Sequence, residues 1–482
     1  MAGNRARAVR DRAVRGGAVR TGAVRAGAFV SVAVALFCIQ LDFFALNLAV
    51  PGMAAELDVT VSVAQWTLSA YMLAIGCFFI VGGRLGDVFG RRPVLLAGTA
   101  LFAAASVGCA LAPDLAVLVM ARVVQGVGAA LIFPTAVSVI SNTFPERSRA
   151  HALGAVFGVA NIGTALGPFV GGGLTDGPGW RWIFWLLAPL SGLALVIGLV
   201  YVPDSRDESA PRQLDLFGCL TVVCCLAALT LAVERGSAWG WTAARTLVLL
   251  AVAAVSGVLF VLRERTARHP LVDLRLFRNV CFDLVTAMGS VCNMGYAVTV
   301  FIATLYLQDV RGLSALAAGT VFLAPAVVVA LAGPTGGWLA PRVAPTLVMA
   351  LAGALAGSGM IVLTLVSAWW LYVPVFAWCG LGLGLGWTFS SLATQQVVAP
   401  ARAGEASGVV LTCLVTLGAV ALAGAASAVA SLTPRHGPEA AYHAVLRTGG
   451  AVILAASVLV LLVSRWLAAR GLVPSLSVRA RR

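Results

Sequence analysis

The chain has 482 residues, of which 60 % are hydrophobic and 11 % charged, with a formal net charge of +14 and a mean hydropathy of +0.96. Soluble domains carry about 25 % charged residues, so a soluble multidomain chain is excluded. All 33 basic residues are arginine; without lysine no Walker A loop can form, and the arginines follow the ends of apolar runs, which argues against nucleic acid as a partner.

In chain order, residues 1–27 come first. From Ala8 they repeat a basic pentad, "AVRDR AVRGG AVRTG AVRAG". It has no apolar core and is read as a disordered cytoplasmic tail. It is not read as a secretory signal: the apolar run that follows is long, contains Asp42 and lacks a small-residue cleavage site. The later apolar runs of roughly 20 residues are each long enough to cross a bilayer core of about 30 Å as a helix. None alternates as barrel strands do. Fourteen spans are predicted, at 28–50, 65–84, 93–112, 115–140, 150–174, 183–202, 215–235, 244–262, 280–305, 315–333, 346–366, 371–397, 408–432 and 447–468. With both ends cytoplasmic, 26 arginines lie inside, 6 lie outside and Arg122 falls within a span. That asymmetry sets the orientation.

Polar loops at 203–214 and 263–279 split the spans into six, two and six. The predicted organisation is a tail (1–27), a six-helix bundle (28–202), a linker carrying two extra helices (203–279), a second six-helix bundle (280–468) and a basic cytoplasmic tail (469–482). The second bundle reads as a decayed copy of the first. "GGRLGDVFGRRP" (82–93) is echoed by "GGWLAPRVAP" (336–345), which keeps the glycine pair and a leucine but not the aspartate or the arginine pair. Parallel halves around a midplane cavity are one known transporter plan. The ten cysteines lie in or beside apolar runs and read as small buried hydrophobes.

Four stretches carry chemistry. Gly83-x-Leu85-x-Asp87-x-x-Gly90-Arg91-Arg92 is predicted as the tight cytoplasmic turn after the second span. The fourth span carries Arg122, Gln125, Gly126 and Gly128; the fifth carries Gly163, Gly167, Pro168, Gly171 and Gly172; the first carries Asp42, Asn47 and Pro51. Together they closely resemble the major facilitator superfamily, specifically its fourteen-helix drug:proton antiporter family. "GWRWIF" (179–184), "YLQDVRG" (306–312) and "HPLVDLRLFRN" (269–279) are also similar to that family. The chain departs from the family where Asp-x-Thr becomes Asp42-Phe43-Phe44 and where Ile-Asn-x-Pro becomes "LLAP" (186–189). These changes leave the fold alone and bear on the substrate.

The resemblance implies an all-α membrane fold, two pseudo-symmetric bundles with two inserted helices, that exports amphiphilic small molecules in exchange for protons. The alternatives are a dedicated exporter of one secondary metabolite and an uptake symporter; the fifth-span stretch, linked in the family to export, counts against the latter. No enzyme activity and no cofactor are expected, with the proton gradient as driving force. The expected partners are the substrate, protons and the lipid of the plasma membrane, with the chain a monomer.

Each motif has a physical reading. An arginine inside a helix is costly and points to function. Arg122 and Asp42 each lie about eight residues from an outer helix end, roughly 12 Å deep at about 1.5 Å per residue. In this family both helices line the cavity, so the two side chains are expected within reach of each other. A neighbouring guanidinium favours a charged carboxylate and desolvation disfavours it; a balance that tips can pick up and release a proton. The plainer reading is a static ion pair. No histidine is expected at membrane depth, so Asp283, near the inner end of the ninth span, is the second candidate acid; its plainer reading is a helix-terminal acid. Asp87 with Arg91 and Arg92 can latch the two halves, because guanidinium forks match carboxylates and glycines permit close approach. Topology alone would need the arginines but not Asp87. Phe43, Phe44, Asn47, Trp66, Tyr71, Phe133, Phe157 and Asn161 are the expected cavity lining, since amphiphiles need apolar surface with a few polar anchors.

Overall fold

A computed structural model of the protein describes residues 2–46, 49–205, 215–268, 270–313, 315–366, 368–398 and 402–470. The described residues are almost wholly helical: α1 Ala2–Ala45, α2 Val50–Glu56, α3 Val61–Ala64, α4 Trp66–Phe89, α5 Arg91–Ala110, α6 Leu115–Thr143, α7 Glu146–Asp176, α8 Arg181–Tyr201, α9 Leu216–Trp239, α10 Ala244–Thr266, α11 Val280–Leu305, α12 Ala315–Leu339, α13 Pro345–Leu363, α14 Trp369–Val397, α15 Ala403–His436 and α16 Pro438–Ala469. Fourteen are long and apolar enough to cross a membrane, namely α1 from Thr21 and then α4 to α16. They correspond one to one with the predicted spans.

Two expectations need correction. The pentad repeat is helical rather than structureless: α1 runs unbroken from Ala2. Alanine and arginine are among the strongest helix formers, and the repeat continues directly into an apolar span that supplies the packing. The Gly82–Arg92 stretch is not a loop either. Its first eight residues are the last turns of α4, and α5 begins at Arg91. Gly90 alone breaks the helix, at φ +102°, a backbone region that favours glycine.

Packing follows a 6+2+6 plan. In the first half α1 packs on α7 and α8, α4 on α6, and α5 on α6 and α8; in the second, α13 packs on α14 and α16, and α11 on α14 and α15. The halves meet chiefly through α7 against α12 and α4 against α15, the second and fifth spans of one half each facing the fifth or second of the other. α9 and α10 pack on each other, and α9 also rests on α4 and α15, one helix from each half. α10 is the most peripheral, with Leu247, Val248, Val255 and Val258 exposed along it, as suits a helix solvated by lipid tails.

Candidate functional site

α1, α4, α5 and α6 converge on one buried ion pair. Arg122 Nη1 lies 2.6 Å from Asp42 Oδ2, and both side chains have zero exposure. Arg122 Nε donates to the Thr67 carbonyl at 2.9 Å, and Nη1 also donates to Gln125 Oε1 at 2.6 Å. Gln125 Nε2 in turn donates to Ser106 Oγ at 3.0 Å. The guanidinium sits 4.0 Å above the Tyr71 ring centre, a cation–π contact that strengthens in a dry site. The Tyr71 hydroxyl lies beside Asp42 but falls short of hydrogen-bond geometry, and Asp42 Oδ1 and Arg122 Nη2 are likewise buried without a hydrogen bond. The pair is therefore held at one oxygen and one nitrogen, with capacity left on each side.

Glycines make this convergence possible. A Cβ on Gly126 would stand 2.6 Å from the Tyr71 carbonyl oxygen, and one on Gly128 would stand 2.8 Å from Phe102 N. These contacts draw α4 and α5 onto α6. On α7, a Cβ at Gly163 would lie 2.6 Å from the Phe37 oxygen, and one at Gly167 would lie 2.4 Å from Phe44 Cβ. At Gly171 it would overlap the Ala45 backbone. So α1 and α7 run backbone to backbone along the turns that carry Asp42, and Gln40 Nε2 adds a 3.0 Å bond to Thr164 Oγ1. Gly172 is half-buried on the same helix. The side chain of Pro168, and all of Asn47, lie outside the described residues.

The second site is at the end of the bundle where α4 gives way to α5 at Arg91. Asp87 and Arg91 are both buried and approach to 3.4 Å. Asp87 Oδ2 also accepts the Glu405 N–H at 3.0 Å, so an acid of the first half caps the first turn of α15 in the second, where the helix dipole favours negative charge. Beside it, a Cβ on Gly83 would come within 2.3 Å of the Gly404 oxygen; the two helices touch through bare backbone. The decayed repeat keeps half of this arrangement: a Cβ on Gly337 would lie 2.6 Å from the Ala150 oxygen of α7, while the position that matches Asp87 is Pro341. Arg92 works elsewhere, pairing with Asp204 at 3.2 Å and donating to the Leu199 carbonyl at 2.7 Å, both within the first half.

Between the two sites the halves meet through aromatic and amide groups. Phe133 contacts Phe157 at 6.1 Å and Trp387 at 6.4 Å between ring centres. Asn161 Nδ2 donates to the Val329 carbonyl at 3.0 Å and to Thr388 Oγ1 at 3.4 Å. Phe43 and Phe44 meet edge to face, and Phe44 reaches Tyr296 of α11 at 6.5 Å. Trp66, at the start of α4, stacks under Arg235 of α9, 4.0 Å from guanidinium to ring centre. Asp283 is apart from Asp42. It lies in the first turn of α11, which Asn279 caps through Cys281 N at 3.1 Å. Thr67, Ser106, Trp387, Thr388 and Glu405 carry no signal in the sequence that marks them as partners.

The helices thus form two packed halves, with a buried charge pair in the first and a glycine-backed contact between the two at one end. A family model described as Major Facilitator Superfamily matches residues 32–423, and the chain belongs to that family. It is 35 % identical over 390 residues to the multidrug resistance protein Stp of Mycobacterium tuberculosis, covering 79 % of this chain and 71 % of that protein. The tetracenomycin C resistance and export protein of Streptomyces glaucescens is 34 % identical over 66 % of this chain and 59 % of its own length. The methylenomycin A resistance protein of Streptomyces coelicolor is 29 % identical over 79 % of this chain and 80 % of its own length. The crystal structure of the human organic anion transporter TETRAN shares the fold, with a TM-score of 0.62 at 15 % identity, over 91 % of this chain and 99 % of that one. The chain is thus a multi-pass membrane transporter for small molecules.

Proposed function

We propose that the protein exports amphiphilic small molecules in exchange for protons, by alternating access between its two halves, as a monomer in the plasma membrane with both termini cytoplasmic. The observation that carries this reading is the Asp42–Arg122 pair, 2.6 Å apart and fully buried, where α1, α4 and α6 meet. While the pair holds, the guanidinium favours the charged form of Asp42 against its burial. A substrate or a helix movement that separates the two leaves a carboxylate without its counter-charge in a dry site, the condition in which a carboxyl takes up a proton. Re-forming the pair releases that proton. Asp87 holding the α15 N-terminus keeps the basic, cytoplasmic end closed in this conformation. No cofactor is needed; the proton gradient supplies the work.

The relatives named for multidrug resistance and for antibiotic export support efflux as the direction. A dedicated exporter of one metabolite is the second reading, supported by the relatives named for single antibiotics. The test loads expressing cells with a fluorescent lipophilic cation and follows its efflux for wild type, for Asp42→Asn and with an uncoupler. Efflux in wild type alone is expected. If Asp42→Asn still exports under an uncoupler-sensitive drive, Asp42 is structural and Asp283 is the next acid to substitute. If wild type moves no dye, the dedicated exporter is the better reading.

A further inference from the structure

The α10–α11 connection does not behave as a surface loop. Leu271, Val272 and Leu276 are buried in one apolar cluster with Ile80 and Val81 of α4, Val222 of α9, and Val409 and Val410 of α15. That is a wedge of chain set against both halves. Its backbone is gripped by two acids from different helices. The Val272 N–H donates to Glu264 Oε2 of α10 at 2.9 Å, and the next amide, Asp273 N–H, donates to Glu405 Oε1 of α15 at 2.7 Å. Both carboxylates are only 5 % exposed. Arg402 Nη2 closes the grip on Asp273 Oδ2 at 2.7 Å, and Asp273 Oδ1 caps the short 3₁₀ turn Leu274–Arg278 through Arg275 N.

Two buried carboxylates on consecutive amides are a costly arrangement, the more so because Glu264 Oε1 is left buried without a hydrogen bond, and ordinary connections run over the surface. Glu405 also stands at a junction: its backbone N–H caps onto Asp87, while its side chain holds Asp273. The same residue therefore joins the first half, the second half and the inserted pair. At the far end of α9 the attachment is repeated on α4 alone, through Ser69 with Glu234 and Trp66 with Arg235.

We infer that residues 270–279 are a second closure element of the basic end, and that Glu405 is the positioning residue coupling this segment, and with it the inserted helix pair, to the Asp87 closure. The inference rests on the proposed closure role of Asp87. When α4 and α15 separate, Glu405 loses its backbone bond to Asp87, and the apolar wedge loses its α4 wall. The inserted pair is then a brace across the gate rather than a passive addition.

Amide hydrogen exchange on the full chain in lipid nanodiscs tests this. Asp87→Ala should raise exchange at residues 403–411 by about tenfold or more, the effect of removing one buried bond to a charged group. Glu405→Ala should raise it by a similar factor at both 403–411 and 270–279. Glu405→Gln keeps an oxygen for the Asp273 N–H and should stay within about twofold of wild type at 270–279; this near-isosteric variant separates lost hydrogen bonding from misfolding. Asp273→Ala, which keeps the N–H but loses Arg402, should raise exchange at 270–279. If Glu405→Ala leaves 270–279 at the wild-type rate while Asp87→Ala exposes 403–411, the segment is independent and the inference is overturned, with the Asp87 reading intact. If Asp87→Ala leaves 403–411 protected, the closure reading fails and takes the inference with it.

Discussion

Neutralising one member of the Asp42–Arg122 pair strands the other, and the structure fixes how much that costs. Both side chains have zero exposure, so no water can stand in. Breaking a buried pair from one side costs about 3–5 kcal/mol, most of it the penalty of the charge left behind. Asp42→Asn leaves arginine, which cannot shed its proton, with the Thr67 carbonyl at 2.9 Å, Gln125 at 2.6 Å and the Tyr71 face at 4.0 Å as partial compensation. Its cost therefore falls near 3 kcal/mol. Arg122→Gln removes the bonds to Thr67 and Gln125 and the ring contact together, and its cost falls near 5 kcal/mol. The double variant has no stranded charge, and only the space left by the shorter Gln side chain and the lost ring contact remain, so its cost should fall to about 1–3 kcal/mol, far below the sum of the singles. The assay is thermal unfolding of all four proteins in one detergent, read as a double-mutant cycle. A double variant that unfolds at the midpoint expected from adding the two singles would refute the reasoning, because the two groups would then not be acting on each other.

Three further outcomes are expected. Gly83→Val forces a Cβ to within 2.3 Å of the Gly404 oxygen, where only backbone stands to yield. α4 and α15 must part, so labelling of a cysteine placed at Ser141, buried facing Gln395, should rise several-fold; unchanged labelling would mean that this contact does not hold the basic end shut. Asp215 caps α9, and although burial pushes its carboxyl up, the bonds from Arg263 and the Gly218 N–H outweigh this and hold it below the ordinary 3.8. A lowered carboxylate stabilises the folded state above its unfolded pKa, and that contribution is lost as pH falls through the folded value. Asp215→Asn should therefore destabilise the protein at pH 7 and progressively less below about pH 4; a penalty that grows on acidification contradicts the assignment. Arg92→Ala breaks a pair whose Asp204 side is 82 % exposed. It should lower the unfolding midpoint by no more than about 1 kcal/mol equivalent, with any larger loss traced through Asp204→Ala to the Leu199 carbonyl bond instead.

Much of the plan was legible in residue order because a bilayer imposes it. Hydrocarbon leaves only closed backbone hydrogen bonding, so fourteen apolar runs could be counted and each found again as a helix. The motif arginine and aspartate stood out for the same reason: charge inside a greasy helix is conspicuous. Where the reading slipped, the cause was local. Glycine-rich, charged residues 82–89 look like a turn, yet they complete α4 because Gly83 and Gly86 are spaces for α15 and Thr135 rather than breaks. The pentad repeat looked structureless because its apolar content is low, while its helix-forming alanines and arginines continue the span.

The sequence by itself determined the class of protein, the number of spans, the 6+2+6 division and the residues worth suspecting, since each of these depends on hydrophobicity and on groups too costly to place by accident. It could not decide which of those residues meet. Asp42 and Arg122 are 80 positions apart, Asp87 and Glu405 are 318, and Asp273 and Glu405 are 132; no local rule reaches across such distances. Only the packing of α1 on α7, α4 on α15 and the 270–279 wedge between them sets those partners. A carboxylate acquires its role from the charge, backbone and water that the fold places around it.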